Sequence, residues 1–158
     1  MARALVALTA AILMAGCGLV SKDFEVSQDF QAGGRPSFTG SVDSATLIGP
    51  ISGDVSKISS ITLKAARIEA TDGKDVSLVS DAIISISDPH NLLPTALLAR
   101  LNAPAPAGAT SVDLTVTGKE LKPYLQASGT IAAGIGFSPT PVTARALKLV
   151  LTLHGTLF

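Results

Sequence analysis

An all-β domain of antiparallel strands, seven or eight of them layered into a sandwich, is the fold class that this sequence predicts. Three observations lead there. Apolar residues recur at every second position over short runs, the pattern of strands with one face buried and one wet. Gly, Pro, Asp and Asn break these runs at regular intervals, and no helical period is sustained over three turns. The chain has 158 residues, of which 47% are apolar and 15% charged, which suits one ordinary domain with a core of its own. Its 12 basic and 12 acidic residues exclude the basic footprint of a nucleic-acid binder and the acidic bias of a solvating tail.

Taken in order, Phe24, Val26 and Phe30 share a face of the first strand, which Gly33, Gly34 and Pro36 end. A weaker extended stretch runs from Ser37 to Ile51. The segment from Ile58 to Thr71 carries Ile61, Leu63 and Ala65 on one parity and Ala66, Ile68 and Ala70 on the other. Such a one-residue phase change predicts a β-bulge at Ala65 and Ala66. Asp72 and Gly73 then predict a hairpin turn, with Val76, Leu78, Ala82, Ile84 and Ile86 alternating on the return strand.

Asp88, Pro89, Asn91 and Pro94 mark a loop, and Thr95 to Leu101 reads as a strand or a helical turn. Pro104 and Pro106 exclude regular structure between Ala103 and Gly108. Val112, Leu114 and Val116 alternate as a strand, and Pro123, Tyr124 and Leu125 form a short helical turn. Tyr124 is a core or corner residue whose hydroxyl needs a backbone partner. Ile131, Ala133, Ile135 and Phe137 make the next strand, with Gly134 and Gly136 opposite, where a neighbour is expected to pack closely. The last runs from Val142 to Phe158, its leucines Leu147, Leu149, Leu151 and Leu153 inside and Lys148, Val150, Thr152 and His154 outside. This many short strands separated by turns predicts an immunoglobulin-like β-sandwich; no Cys or Trp hallmark fixes how the strands connect.

The amino terminus is different. Arg3 precedes an apolar run from Ala4 to Ala15 broken only by Thr9, the layout of a helical, cleaved export signal. As a helix the run would span roughly 18 Å at about 1.5 Å per residue, short of a bilayer core of about 30 Å. The chain's one cysteine, Cys17, follows in the string Leu13-Met14-Ala15-Gly16-Cys17. This string resembles the lipobox of bacterial lipoproteins, with Met14 where that family most often has Leu. The resemblance implies cleavage before Cys17 and acylation there, giving a signal peptide over residues 1–16, a lipidated tether over 17–23 and a single domain over 24–158. Several acyl chains, at about 0.8 kcal/mol per buried methylene, anchor a protein stably. Gly18 stands where an Asp would mark inner-membrane retention, so the resemblance implies the outer membrane, with the domain facing the periplasm. From the Ile61 strand through Lys119-Glu120-Leu121-Lys122-Pro123-Tyr124-Leu125 to the carboxyl end, the chain also resembles small β-sandwich lipoproteins, for which no activity is implied.

Chemistry-bearing motifs are few. His90 lies beside Asp88, the pairing of a base with its orienting carboxylate, in a segment that a solvated turn explains equally. His154 falls on the polar face of the last strand. No Gly-x-Ser-x-Gly, His-Glu-x-x-His, phosphate-loop or EF-hand spacing occurs. Acylation would consume the only thiol, so no cofactor or metal is expected. With no Trp, one Tyr and five Phe, a stacking platform for nucleic acid is not expected either.

The sequence therefore predicts a non-enzymatic, lipid-anchored envelope protein that binds a partner protein or supports an assembly, with the long last strand as the candidate edge for strand addition. The alternative is a carrier of an apolar ligand such as a lipid, drawn from the leucines of residues 92–101 and 147–153. An outer-membrane barrel is excluded by phase, because Phe158 aligns with Thr156, His154 and Thr152 and not with the leucines.

Overall fold

The computed structural model describes residues 20–158; the signal peptide expected over residues 1–16 and the lipidation expected at Cys17 lie outside the described residues. Eight antiparallel strands account for about half of the described residues: β1 (Val20–Ala32), β2 (Ser37–Asp43), β3 (Ile58–Ala70), β4 (Val79–Ser87), β5 (Ala96–Arg100), β6 (Ser111–Val116), β7 (Thr130–Phe137) and β8 (Arg145–Leu157). β1 starts at Val20 and pairs from there with β8, so the sheet already includes the last part of the expected 17–23 tether.

Two four-stranded layers face each other, as the sequence pattern predicts. Their orders are β1-β8-β3-β6 and β5-β4-β7-β2, joined where β6 meets β5 at Ala99↔Val116 and Arg100↔Thr115. The ladders nest: first with last (β1·β8), then β2·β7, β3·β6 and β4·β5. This is one long antiparallel ribbon wrapped on itself, closed by β8·β3 and β4·β7, the jelly-roll connectivity of β-sandwiches.

Between the layers lies the core, built by the expected alternation. Phe24, Val26 and Phe30 of β1, Leu147 to Leu153 of β8, Ile61, Leu63 and Ile68 of β3, Ile84 and Ile86 of β4, and Ile131 and Ile135 of β7 are all buried in it. Each such side chain contributes about 1.5–3 kcal/mol by leaving water. The phase change in β3 is a bulge between Leu63 and Ala65, which leaves Lys64 as the extra residue. It turns Ile61 and Leu63, then Ala66 and Ile68, to the same core. Val150 departs from its expected place on the wet face, being buried opposite Ser27 of β1.

Two segments correct the sequence reading. Residues 44–48 form α1 (Ser44–Ile48), not a continued strand, because the Asp43 carboxylate caps it by accepting from Thr46 N at 2.8 Å, and Leu47 is its buried contact. The Asp72-Gly73 turn exists, with Gly73 at φ 74°, but β3 and β4 do not pair as a hairpin. They lie in different layers. After the turn, residues 75–78 cross between the layers, held by Val76 N on Ala109 O at 2.8 Å. Thr95 to Leu101 resolves as strand β5, and Tyr124 sits in α2 (Lys122–Gln126), its hydroxyl donating to Pro94 O at 2.7 Å.

Candidate functional site

The long last strand is not an edge. β8 lies between β1 and β3, so both sides of its backbone are paired. The terminal strands of the sheet order are β1 and β2, and these leave the Gly33–Pro36 turn into different layers. Between them runs an open seam. Near the turn its walls enclose an open cavity of about 510 Å³, lined by Gln31, Ala32, Arg35, Ser37, Phe38, Thr39 and Phe137 among others. Further along, Val26 to Gln28 of β1 face Ser41, Val42, Asp43 and Thr46 across a second concavity of about 140 Å³.

Local sequence explains this shape. Gly34 takes φ 67°, a turn geometry that a β-carbon disfavours, and donates its N–H to Pro141 O at 3.0 Å, while Phe137 N donates to Pro36 O at 2.8 Å. The turn is thereby fastened to the segment between β7 and β8. Phe30 and Phe38 stack across the seam with centroids 4.4 Å apart, which divides the two concavities. Arg35 is the only ionisable side chain lining the larger one. It takes part in none of the ion pairs among the described residues. The arrangement suits an extended chain laid against an unpaired strand edge, with an acidic group at Arg35 and an apolar one on the phenyl rings.

The histidines do other work. Asp88 is buried, and its carboxylate accepts from the backbone N–H of His90 (2.8 Å), Leu92 (2.8 Å) and Leu93 (3.1 Å). Those bonds hold its pKa below the usual carboxylate range, the His90 amide first among them. The carboxylate shapes the loop and does not orient the His90 imidazole. His154 instead has a partner that sequence reading missed: its Nδ1 lies 2.5 Å from Asp23 Oδ1, and Lys64 Nζ lies 2.5 Å from Asp23 Oδ2. The Lys64 bond and then the His154 bond lower the Asp23 pKa. This cluster lies on the outer face of the β1-β8-β3-β6 layer and lines neither concavity.

Among the described residues no three His, Cys, Asp or Glu side chains converge on a metal-sized site, and no helix there is long and apolar enough to cross a membrane. Gly134 does not meet the close neighbour expected of it, since a β-carbon built there would touch nothing within 4 Å. Leu147, Leu149, Leu151 and Leu153 belong to the packed core, while Leu92 is 82% exposed.

No family model matches the chain, and no curated protein does. Among solved structures the chain is similar to the BFDV capsid protein, seen as a decamer, with TM-score 0.42, 7% identity and coverage of 89% of this chain and 99% of that one. It is also similar to a Desmodium yellow mottle tymovirus chain, with TM-score 0.33, 9% identity and coverage of 94% and 95%. Likenesses this distant say nothing of function.

Proposed function

We propose that this chain is a lipid-anchored protein of the bacterial envelope, held at Cys17 in the outer membrane and facing the periplasm, that acts by binding a partner protein and not by catalysis. The anchor rests on the lipobox string. The binding role rests on the open seam between β1 and β2, where an unpaired strand edge of 13 residues borders a cavity with a cation at its rim and aromatic rings in its wall. An extended segment of the partner adds to that edge through main-chain hydrogen bonds, and the cavity selects its side chains. Because β1 rises about 3.3 Å per residue, the Arg35 cavity stands about 40 Å from the Val20 end of the strand. A partner is therefore met well away from the anchor.

A photo-crosslinking side chain placed at Thr39, in the acylated full-length chain in its own envelope, tests this reading. The same probe at Asp113 of β6, in the opposite layer, is the control. A discrete adduct is expected from Thr39 alone, and Arg35→Glu reduces its yield about tenfold, as loss of a charge-assisted contact does. Equal adducts from both positions, or none from Thr39, overturn it.

A further inference from the structure

We infer that the end of the sandwich at which β1 begins is a bilayer-contacting surface that seats on phospholipid headgroups; this rests on the lipid anchor proposed above. Only Gly18 and Leu19 stand between Cys17 and Val20. Three Cα steps at about 3.5 Å each allow about 10 Å between an acylated Cys17 and the start of the sheet. Whatever surrounds Val20 is thereby held against the membrane.

What surrounds it has the composition of an interfacial contact. Val20 is 46% exposed and Phe158 77%. They share one end of the sheet because Val20 stands opposite Leu157, the residue before Phe158, in the β1·β8 ladder. Phe158 N donates to Lys57 O at 3.2 Å, and Lys122 Nζ lies 5.2 Å from the centroid of the Phe158 ring. Lys22, opposite Gly155, reaches Pro50 O at 3.4 Å. None of these three lysines belongs to an ion pair among the described residues. The acidic side chains of this end are occupied by their own chain. Asp54 accepts from Ser56 N at 2.9 Å, and Glu120 accepts from Ser60 Oγ, Ile61 N and Lys122 N.

An exposed phenyl ring among ammonium groups that no carboxylate neutralises in an ion pair, each on a long apolar stem, is how a surface seats at the boundary of headgroups and acyl chains. The ring enters the boundary, and the lysines extend to the phosphates. The other exposed large apolar residues, Ile83, Leu92, Leu97 and Val142, lie on the outer face of the second layer or in loops, apart from these lysines. The net neutrality of the chain conceals this local arrangement.

The absence of Trp provides a clean probe. Phe158→Trp is made in the acylated full-length chain and reconstituted into phosphatidylcholine–phosphatidylglycerol vesicles whose acyl chains are brominated near the headgroup. The indole emission is expected to shift to the blue and to be quenched. Changing Lys22, Lys57 and Lys122 to Glu in that background reduces the quenching at least about threefold, since each lysine near an anionic surface adds attraction. Leu92→Trp, the control in a distant loop, stays unquenched. Solvent-like, unquenched emission from the Phe158→Trp chain, with acylation at Cys17 verified by mass spectrometry, overturns the inference and leaves the anchor standing. Absence of acyl groups from Cys17 overturns the anchor and the inference with it.

Discussion

Asp72 and Arg145 form the most enclosed ion pair among the described residues, with side chains 19% and 11% exposed. The guanidinium meets the carboxylate through Nε at 2.6 Å and Nη2 at 3.3 Å, and Nη2 also donates to Asp75 O at 2.6 Å. Asp72 additionally accepts from Lys74 N and Ala146 N, so one side chain fastens the start of β8 to the crossing between layers. Led by the Arg145 bond, these contacts lower the Asp72 pKa to about 2. An unfolded Asp titrates near 3.9, so this stabilisation is complete above that value and disappears as pH falls towards 2. Asp72→Asn is expected to cost about 2–3 kcal/mol at pH 7, since it leaves a nearly buried guanidinium unpaired. Urea denaturation at pH 7 and at pH 3 checks this, and the difference between variant and parent should shrink at the lower pH. Tyr124→Phe removes the bond to Pro94 O and is expected to cost about 1 kcal/mol in the same measurement. The two differ in legibility. A buried Tyr beside Pro123 announces its need for a backbone acceptor, whereas the partners of Asp72 and Asp23 lie 73 and 131 residues away and become visible only once strand register is known.

At the scale of elements, side-chain parity was readable wherever one face is buried and the other wet. β7 and β8 follow it almost throughout, and the reversal inside β3 marked a bulge to within a residue or two because a bulge is itself a change of parity. Pairing was not readable. The Asp-Gly turn has the local chemistry of a hairpin, yet the chain beyond it buries Val76 and Leu78 and pairs elsewhere, because apolar burial between layers outweighs a local turn preference. The choice of edge was missed for the same reason: the longest alternating run, β8, is the most valuable to bury on both sides of its backbone. The seam depends on that choice, and amide hydrogen exchange checks it. Along β8 every amide with a ladder partner is expected to be protected. Along β1, the alternate amides that point away from β8 are expected to exchange at least about tenfold faster than their neighbours, because only water satisfies them. Uniform protection along β1 would mean that its outer edge is covered and that no strand can add there.

The whole molecule sets first strand against last, and that nesting governs how it folds. Only β4·β5 and the short β5·β6 ladder join strands adjacent in sequence, so loop closure must be met before most pairings return any energy. Refolding from urea, followed by stopped-flow circular dichroism, is therefore expected on the millisecond-to-second scale of non-local β proteins; microsecond refolding would contradict the topology. The same nesting makes β1 indispensable although it lies at an edge. Its inner face supplies Phe24, Val26 and Phe30 to the core, and its backbone completes one side of β8 over 13 residue pairs. Removing residues 20–32 would expose β8 as a long apolar edge and open the core on one side, with each lost Phe costing about 3–5 kcal/mol. Two such losses reach the roughly 5–15 kcal/mol that holds an ordinary domain together. The shortened chain is therefore expected to show no cooperative thermal transition and to aggregate through the uncovered strand. A soluble, cooperatively melting product would mean that the second layer folds without the first, and the wrapped ribbon would then not be the unit of stability.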